Sequence, residues 1–277
     1  MRVVSSVDHL PALAETQSKL LAMPQARIDV VHKFYPGHYI REMRAPAGTI
    51  VLGAIHKFAT LNICLQGAGQ FRNADGSVGE VRAPFTFVSP PGRKAIFVTQ
   101  DLVWQNVWQT DLIDLEVIEA YLFEKDEEQK RVEFERYELA WESHEKDRQD
   151  YRPMLENIGL SAERVTELTV NTNDQVGLPY GDYKFRFGVS PIHGVGTLAT
   201  ADIEEGEMIG IARIGVMRTP LGRYMNHSVA PNAIGRMIGS NIGVFATRRI
   251  KGDGSTIGGG EEITIDYRDA VKLSREH

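Results

Sequence analysis

Short β-type runs punctuated by turn-forming residues constrain the N-terminal part of this chain more than any other feature. Within residues 28–111, runs at 50–55, 61–65, 85–88 and 95–98 are separated by Pro46-Ala47-Gly48, Asp75-Gly76 and Pro90-Pro91-Gly92. Runs this short, ending where proline fixes φ or glycine permits a reversal, suit paired strands and leave no room for an amphipathic helix. They predict a β-sandwich or small barrel with Asp75-Gly76 at a hairpin tip. Before them, Leu10, Leu13, Gln17, Leu20 and Leu21 stand at helical spacing and are closed off by Pro24, which predicts an N-terminal helical extension over 1–27.

After Asp111 the period changes. Ile113, Val117, Ile118, Tyr121 and Leu122 predict one apolar helical stripe, and a densely charged segment follows over 124–150. Within it Phe134, Tyr137 and Trp141 recur at spacings of three and four, so the expectation is a solvated helix that docks an aromatic stripe on a domain. No heptad pattern persists long enough for a coiled coil. Ser161 is placed to cap a further short helix. The chain therefore divides into a β-rich domain over 28–111, a helical connector over 112–171 and a second β-rich domain over 172–277.

Two cores are expected from 277 residues, of which 42% are hydrophobic and 25% charged. The net charge of −6 leaves no basic face for a phosphate backbone, so nucleic acid is not an expected partner. Cys64, the single cysteine, excludes an intrachain disulfide and a zinc site built from several thiolates. No apolar stretch approaches the ~20 residues of a spanning helix, and the N-terminus carries no signal-peptide pattern. A soluble, unprocessed, cytoplasmic protein with no membrane partner is the expectation.

Three local patterns follow one another in the second domain. The first is Ile192-His193-Gly194-Val195-Gly196-Thr197-Leu198-Ala199, where paired glycines let the backbone turn tightly and approach a ligand that a Cβ would block. Alone it reads as a β-turn. The second, residues 222–232, packs Arg223, Tyr224, Asn226, His227, Ser228 and Asn232 between turn formers, and taken alone its polar side chains satisfy local backbone groups. The third is Gly260-Glu261-Glu262-Ile263-Thr264-Ile265-Asp266-Tyr267, a short β-type run ending in a tyrosine.

In this order and within about 100 residues, the three patterns resemble the SET-domain family of protein lysine methyltransferases; the strand-and-turn segment 245–250 resembles the approach to that family's closing motif. The resemblance implies a mainly β protein whose C-terminal part is a SET-type β-clip, with the chain end passing beneath the Asn-His-Ser loop. It implies S-adenosyl-L-methionine as cofactor and a lysine-bearing protein or peptide as acceptor. The backbone of Gly194, Val195 and Gly196 would contact the methionine end together with Asn226, His227 would meet the adenine side through its backbone, and Arg223 and Tyr224 would shape the pocket. Tyr267 would place its hydroxyl beside the transferring methyl group. The chain also departs from the family: Ile265 stands where an aromatic is common, Ala233-Ile234-Gly235 and residues 211–215 supply no channel aromatic, and the glycine-rich segment 252–259 is long.

The first domain resembles a cupin over 39–108. A metal-binding cupin presents several histidines and a carboxylate. Here His56 stands alone, Phe58 takes the place of a second histidine, and Arg93-Lys94 follows Pro91-Gly92 without one, so no metal is expected. Trp104 and Trp108, four apart in a β-prone region, are read as core residues, and His32 and His38 as ordinary ones. A metal-free cupin module leaves partner recognition, homodimerisation or cover of the catalytic cleft as its roles. Two other readings stay open: a non-catalytic binding or assembly protein with a SET-like pocket, and, less favoured, a metal-dependent cupin enzyme.

Overall fold

The computed structural model describes residues 17, 19–72, 77–124, 127–254 and 260–275. The chain begins with eight strands: β1 (Asp29–Tyr35), β2 (His38–Ala45), β3 (Ile50–Leu52), β4 (Ile55–His56), β5 (Thr60–Arg72), β6 (Val78–Arg82), β7 (Phe85–Ser89) and β8 (Ala95–Gln109). The expected runs 61–65, 85–88 and 95–98 fall within these strands, whereas 50–55 is divided between β3 and β4 by Gly53-Ala54. The long β8 organises them, pairing antiparallel with β2, β3 and β5. β5 and β6 form a hairpin through the Arg72↔Val78 pair, although its expected tip, Asp75-Gly76, lies outside the described residues. Most of the expected N-terminal helix also lies outside them. Trp104 packs against one apolar cluster with Leu102, Val98 and Cys64, and Trp108 against a second with Tyr39 and Phe34.

Helices follow as α1 (Leu115–Leu122), then the short β9 (Phe123–Glu124), α2 (Glu127–Ser143), α3 (Glu145–Ile158) and α4 (Ala162–Val170). One sequence expectation holds only in part here and another fails. Of the stripe expected on α1, Ile118 and Leu122 are buried, together with Leu115 at i, i+3 and i+7, and Ile113 before the helix packs on the core, whereas Val117 and Tyr121 point outward. On α2, Phe134 is 61% and Trp141 43% exposed, so the aromatic stripe docks on no domain among the described residues. Trp141 instead lies under the guanidinium of Arg148 on α3, 3.7 Å from ring centroid to Cζ. Ser161 does cap α4, its side chain accepting from the Arg164 N–H at 3.2 Å.

The remaining elements are β10 (Gly181–Tyr183), β11 (Phe185–Val189), β12 (Val195–Ala199), β13 (Met208–Ile214), β14 (Met217–Arg218), α5 (Pro220–Tyr224), β15 (Asn226–His227), β16 (Ala233–Ile238), β17 (Asn241–Ala246), β18 (Glu262–Ile265) and α6 (Tyr267–Arg275). β10 joins the N-terminal sheet by pairing with β1. β11, β12, β18 and β15 form a second sheet, and β14, β13, β17 and β16 a third. One apolar core runs from Phe34, Tyr39 and Trp108 through α1 to Phe185, Ile203, Leu221 and Ile263. Each such fully buried large side chain contributes about 1.5–3 kcal/mol over exposure. This continuous core fixes the second sheet, which carries all three motifs, against the first.

Candidate active site

The turn between β11 and β12 is built around Ser190. Its N–H donates to Gly194 O at 2.9 Å, and its Oγ accepts from the N–H groups of Ile192 and His193 at 2.9 and 3.2 Å. The Ser190 hydroxyl donates to the Glu262 carboxylate on β18, at 2.9 and 2.8 Å from its two oxygens. Gly194 takes φ 54°, with nothing within 4 Å of where a Cβ would sit, so the turn opens outward there. A Cβ on Gly196 would lie 2.2 Å from Glu262 Oε1, so β18 comes this close only because residue 196 is glycine.

β15 lies parallel to β18, with Asn226 opposite Thr264 and His227 opposite Ile265. Asn232 locks the register: its Nδ2 donates to Glu262 O at 2.8 Å and its Oδ1 accepts from the Thr264 N–H at 2.9 Å. The Asn226 amide nitrogen reaches four acceptors: Glu262 Oε1 (2.8 Å), Ser190 Oγ (2.9 Å), His193 O (3.0 Å) and Val195 O (3.3 Å). An NH₂ group has two protons, so this niche holds more acceptor capacity than the protein fills. Glu262 is buried without a lysine or arginine partner among the described residues, and burial raises its carboxyl above the usual range against the bonds from Asn226 and Ser190. The surplus acceptors could receive a group carrying N–H donors, such as the ammonium of S-adenosyl-L-methionine.

His227 is 2% exposed and connects three elements. Its Nδ1 accepts from the Tyr267 N–H at 3.3 Å, which assigns the ring proton to Nε2, and Nε2 donates to Asp150 Oδ2 on α3 at 2.9 Å. Asp150 also holds Arg268, 2.8 Å away. The His227 hydrogen bond, followed by those from Arg268, keeps the Asp150 carboxyl below its ordinary value. Tyr267 begins α6 and donates its hydroxyl proton to Met225 O at 2.8 Å; desolvation pushes the phenol well above its usual range.

Gly194, Val195, Gly196, Asn226, His227 and Tyr267 are thus brought together. Arg223 and Tyr224 sit one layer behind: Arg223 donates to Gln175 Oε1 at 2.7 Å, and the Tyr224 ring packs on Phe187 at 5.2 Å. Sequence reasoning offered the charged helical segment among several possible walls and named no residue of α3; α3 forms a wall of the site. Asp147 accepts from the Val229 N–H at 2.9 Å, Arg148 donates to Pro191 O at 2.8 Å, and Tyr151 stacks on His193 with ring centroids 6.1 Å apart. Tyr151 and Tyr267 pack against the same apolar cluster, Met154, Leu155 and Ile158.

In the N-terminal sheet, His56 bonds Thr60 Oγ1 at 2.8 Å and lies between Trp108 and Phe123. Burial, aided by Lys94 and Arg41, drops its pKa to about 3 and keeps it neutral. Among the described residues no three His, Cys, Asp or Glu side chains are grouped to hold a metal ion, and no helix is long and apolar enough to cross a membrane.

No curated protein sequence matches the chain significantly. Solved structures similar to its N-terminal region include cupin-fold proteins. A cupin-2 domain protein from Shewanella frigidimarina has 11% identity over 34% of this chain and 92% of its own, with a TM-score of 0.26. Ectoine synthase from P. lautus has 11% identity over 37% and 81%, with a TM-score of 0.28. A cupin domain from Bordetella pertussis has 11% identity over 32% and 99%, with a TM-score of 0.27. Residues 104–268, more than half of the chain, match the SET domain, and the chain belongs to that family.

Proposed function

We propose that this chain is an S-adenosyl-L-methionine-dependent methyltransferase acting on the side-chain amine of a protein lysine. The observation that carries this reading is the acceptor-rich niche of Asn226, Glu262 and the His193 and Val195 carbonyls, adjoining Tyr267 through β15 and β18. When bound, S-adenosyl-L-methionine supplies a methyl group on a positively charged sulfur.

The backbone of Gly194, Val195 and Gly196 and the side chain of Asn226 hold the methionine end in this reading. His227 presents its backbone to the adenine side, its ring being held by Asp150 and the Tyr267 N–H. Arg223 and Tyr224 support the pocket from behind. The Tyr267 hydroxyl donates its proton to Met225 O, which leaves its oxygen lone pairs available to the reacting groups. A lysine ammonium has a pKa near ~10.4 and no lone pair, so it must lose a proton before attack; desolvation and an adjacent positive charge both favour that loss. No dedicated general base is required. Alignment in a water-poor site carries the rate. Tyr151 of α3 supplies an aromatic wall that Ile265 and Ala233-Ile234-Gly235 do not.

Tyr267→Phe tests this. Calorimetry should show cofactor binding within about twofold of the parent, because only a hydroxyl is removed, whereas methyl transfer to a mixed lysine-bearing protein substrate should fall at least ~10²-fold. If the parent protein binds no cofactor, or the variant methylates at the parental rate, the proposal fails.

A further inference from the structure

A cavity of about 310 Å³ opens beside the N-terminal sheet, bounded by β1, β2, β3 and residues 20–28. This lies at the lower end of the ~300–1,000 Å³ that small-molecule sites occupy. Its walls are apolar at Leu20, Val30, Met43 and Val51, and two guanidinium groups line it, those of Arg41 and Arg93. No acidic side chain lines it among the described residues.

Arg41 is the telling residue. Its Nη2 donates to Gly254 O at 3.2 Å and its Cζ lies 5.6 Å from the Phe123 ring centroid, but it makes no ion pair among the described residues. Its Nε is buried with no hydrogen-bond partner. Two titratable neighbours inside the sheet do not compensate it: His32 and His56 are both held neutral, by burial first and then by nearby cationic side chains, Arg41 among them. Arg93, 4% exposed, adds a second cation at the wall and donates to Gln17 Oε1 at 2.8 Å. The positive charge of Arg41, in an apolar recess with no counter-charge among the described residues, is unfavourable until an anion arrives. Guanidinium groups meet carboxylates through paired N–H donors.

We propose that this cavity binds a small organic acid, with its carboxylate on Arg41 and its apolar body against Val30, Met43 and Val51. The apolar walls set the second requirement: a bare inorganic anion would leave them uncovered. The site is separate from the methyl-transfer site and does not depend on that activity.

Calorimetric titration of the full chain at physiological salt tests this with two matched pairs, benzoate against benzamide and hexanoate against hexanamide. Within a pair the shape is kept and the charge removed. Each acid should bind at least tenfold more tightly than its amide. Arg41→Met should weaken the acids at least tenfold and leave the amides unchanged, and Arg41→Lys, which keeps the charge and loses the fork, should fall between. Circular dichroism checks that both variants fold. Should Arg41→Met fail to fold, the acid-to-amide ratio in the parent and the Arg41→Lys titration decide. Equal affinity of acid and amide, acid binding unaffected at position 41, or no acid binding with Kd below about 1 mM would each overturn the proposal.

Discussion

Replacing Asp150 by Asn tests whether α3 is part of the site or merely rests on it. Asp150 accepts from His227 Nε2 at 2.9 Å and from Arg268 Nη2 at 2.8 Å, so one carboxylate joins α3 to the Asn-His-Ser loop and to α6. Asn is the same size but uncharged, and its single carbonyl oxygen satisfies one donor while its NH₂ faces the other. The His227 bond is charge-assisted and anchored on a buried ring, which puts its loss at about 1–2 kcal/mol. Arg268 and Asp150 are each about a quarter exposed, which limits their pair to about 0.2–1 kcal/mol. The sum, about 1–3 kcal/mol, corresponds to a Tm lowered by roughly 2–10 °C for a chain of this size. The pH dependence carries the sign. The folded Asp150 carboxyl is depressed, so its contribution is complete above the unfolded value of about 3.9 and is lost as pH falls through the lower folded value. The parent and Asp150→Asn should therefore differ by a constant Tm from pH 5 to 7 and converge in more acidic buffer. Cofactor affinity should weaken with the loss, because His227 also holds the Tyr267 N–H. Calorimetric unfolding across that pH range is the assay. A Tm within about 1 °C of the parent at pH 7, with unchanged cofactor affinity, would refute the account.

Gly196→Ala forces a methyl group within 2.2 Å of Glu262 Oε1, a carboxylate held in place by Ser190 and Asn226, and 2.9 Å from the Ser190 Cβ. The expected cost is about 1–3 kcal/mol in urea unfolding, together with loss of cofactor binding; parental stability would mean that Glu262 is free to swing aside. At Tyr151 the contrast is between Leu and Phe. Tyr151→Leu keeps apolar volume and removes the ring stacked on His193, and the KM for a lysine acceptor should rise about 2–5-fold with cofactor affinity nearly unchanged. Tyr151→Phe should leave both alone, and a Leu variant equal to Phe would reduce Tyr151 to simple packing.

What was legible in the sequence follows from how far apart the interacting residues lie along the chain. The β runs, the Ser161 cap and the three C-terminal motifs depend on neighbours within a few residues, or on a pattern whose members recur together, and each has a local signature. The contacts that make α3 a wall have none: Asp150 meets His227 and Arg268, and Tyr151 meets His193, across 42 to 118 residues of chain. From the sequence, a helix rich in Glu, Lys, Arg and Asp reads as solvated, because charge pattern reports average exposure and not which one or two carboxylates turn inward. The same limit explains the aromatic stripe on α2. Helical spacing placed Phe134 and Trp141 on the same face, as it must, but no spacing rule supplies the surface that would cover them. Arg41 shows the converse. In an alternating strand it looks like any outward-facing basic residue, and only the folded sheet, with no acid along the cavity wall among the described residues, turns an ordinary arginine into a charge that needs a partner.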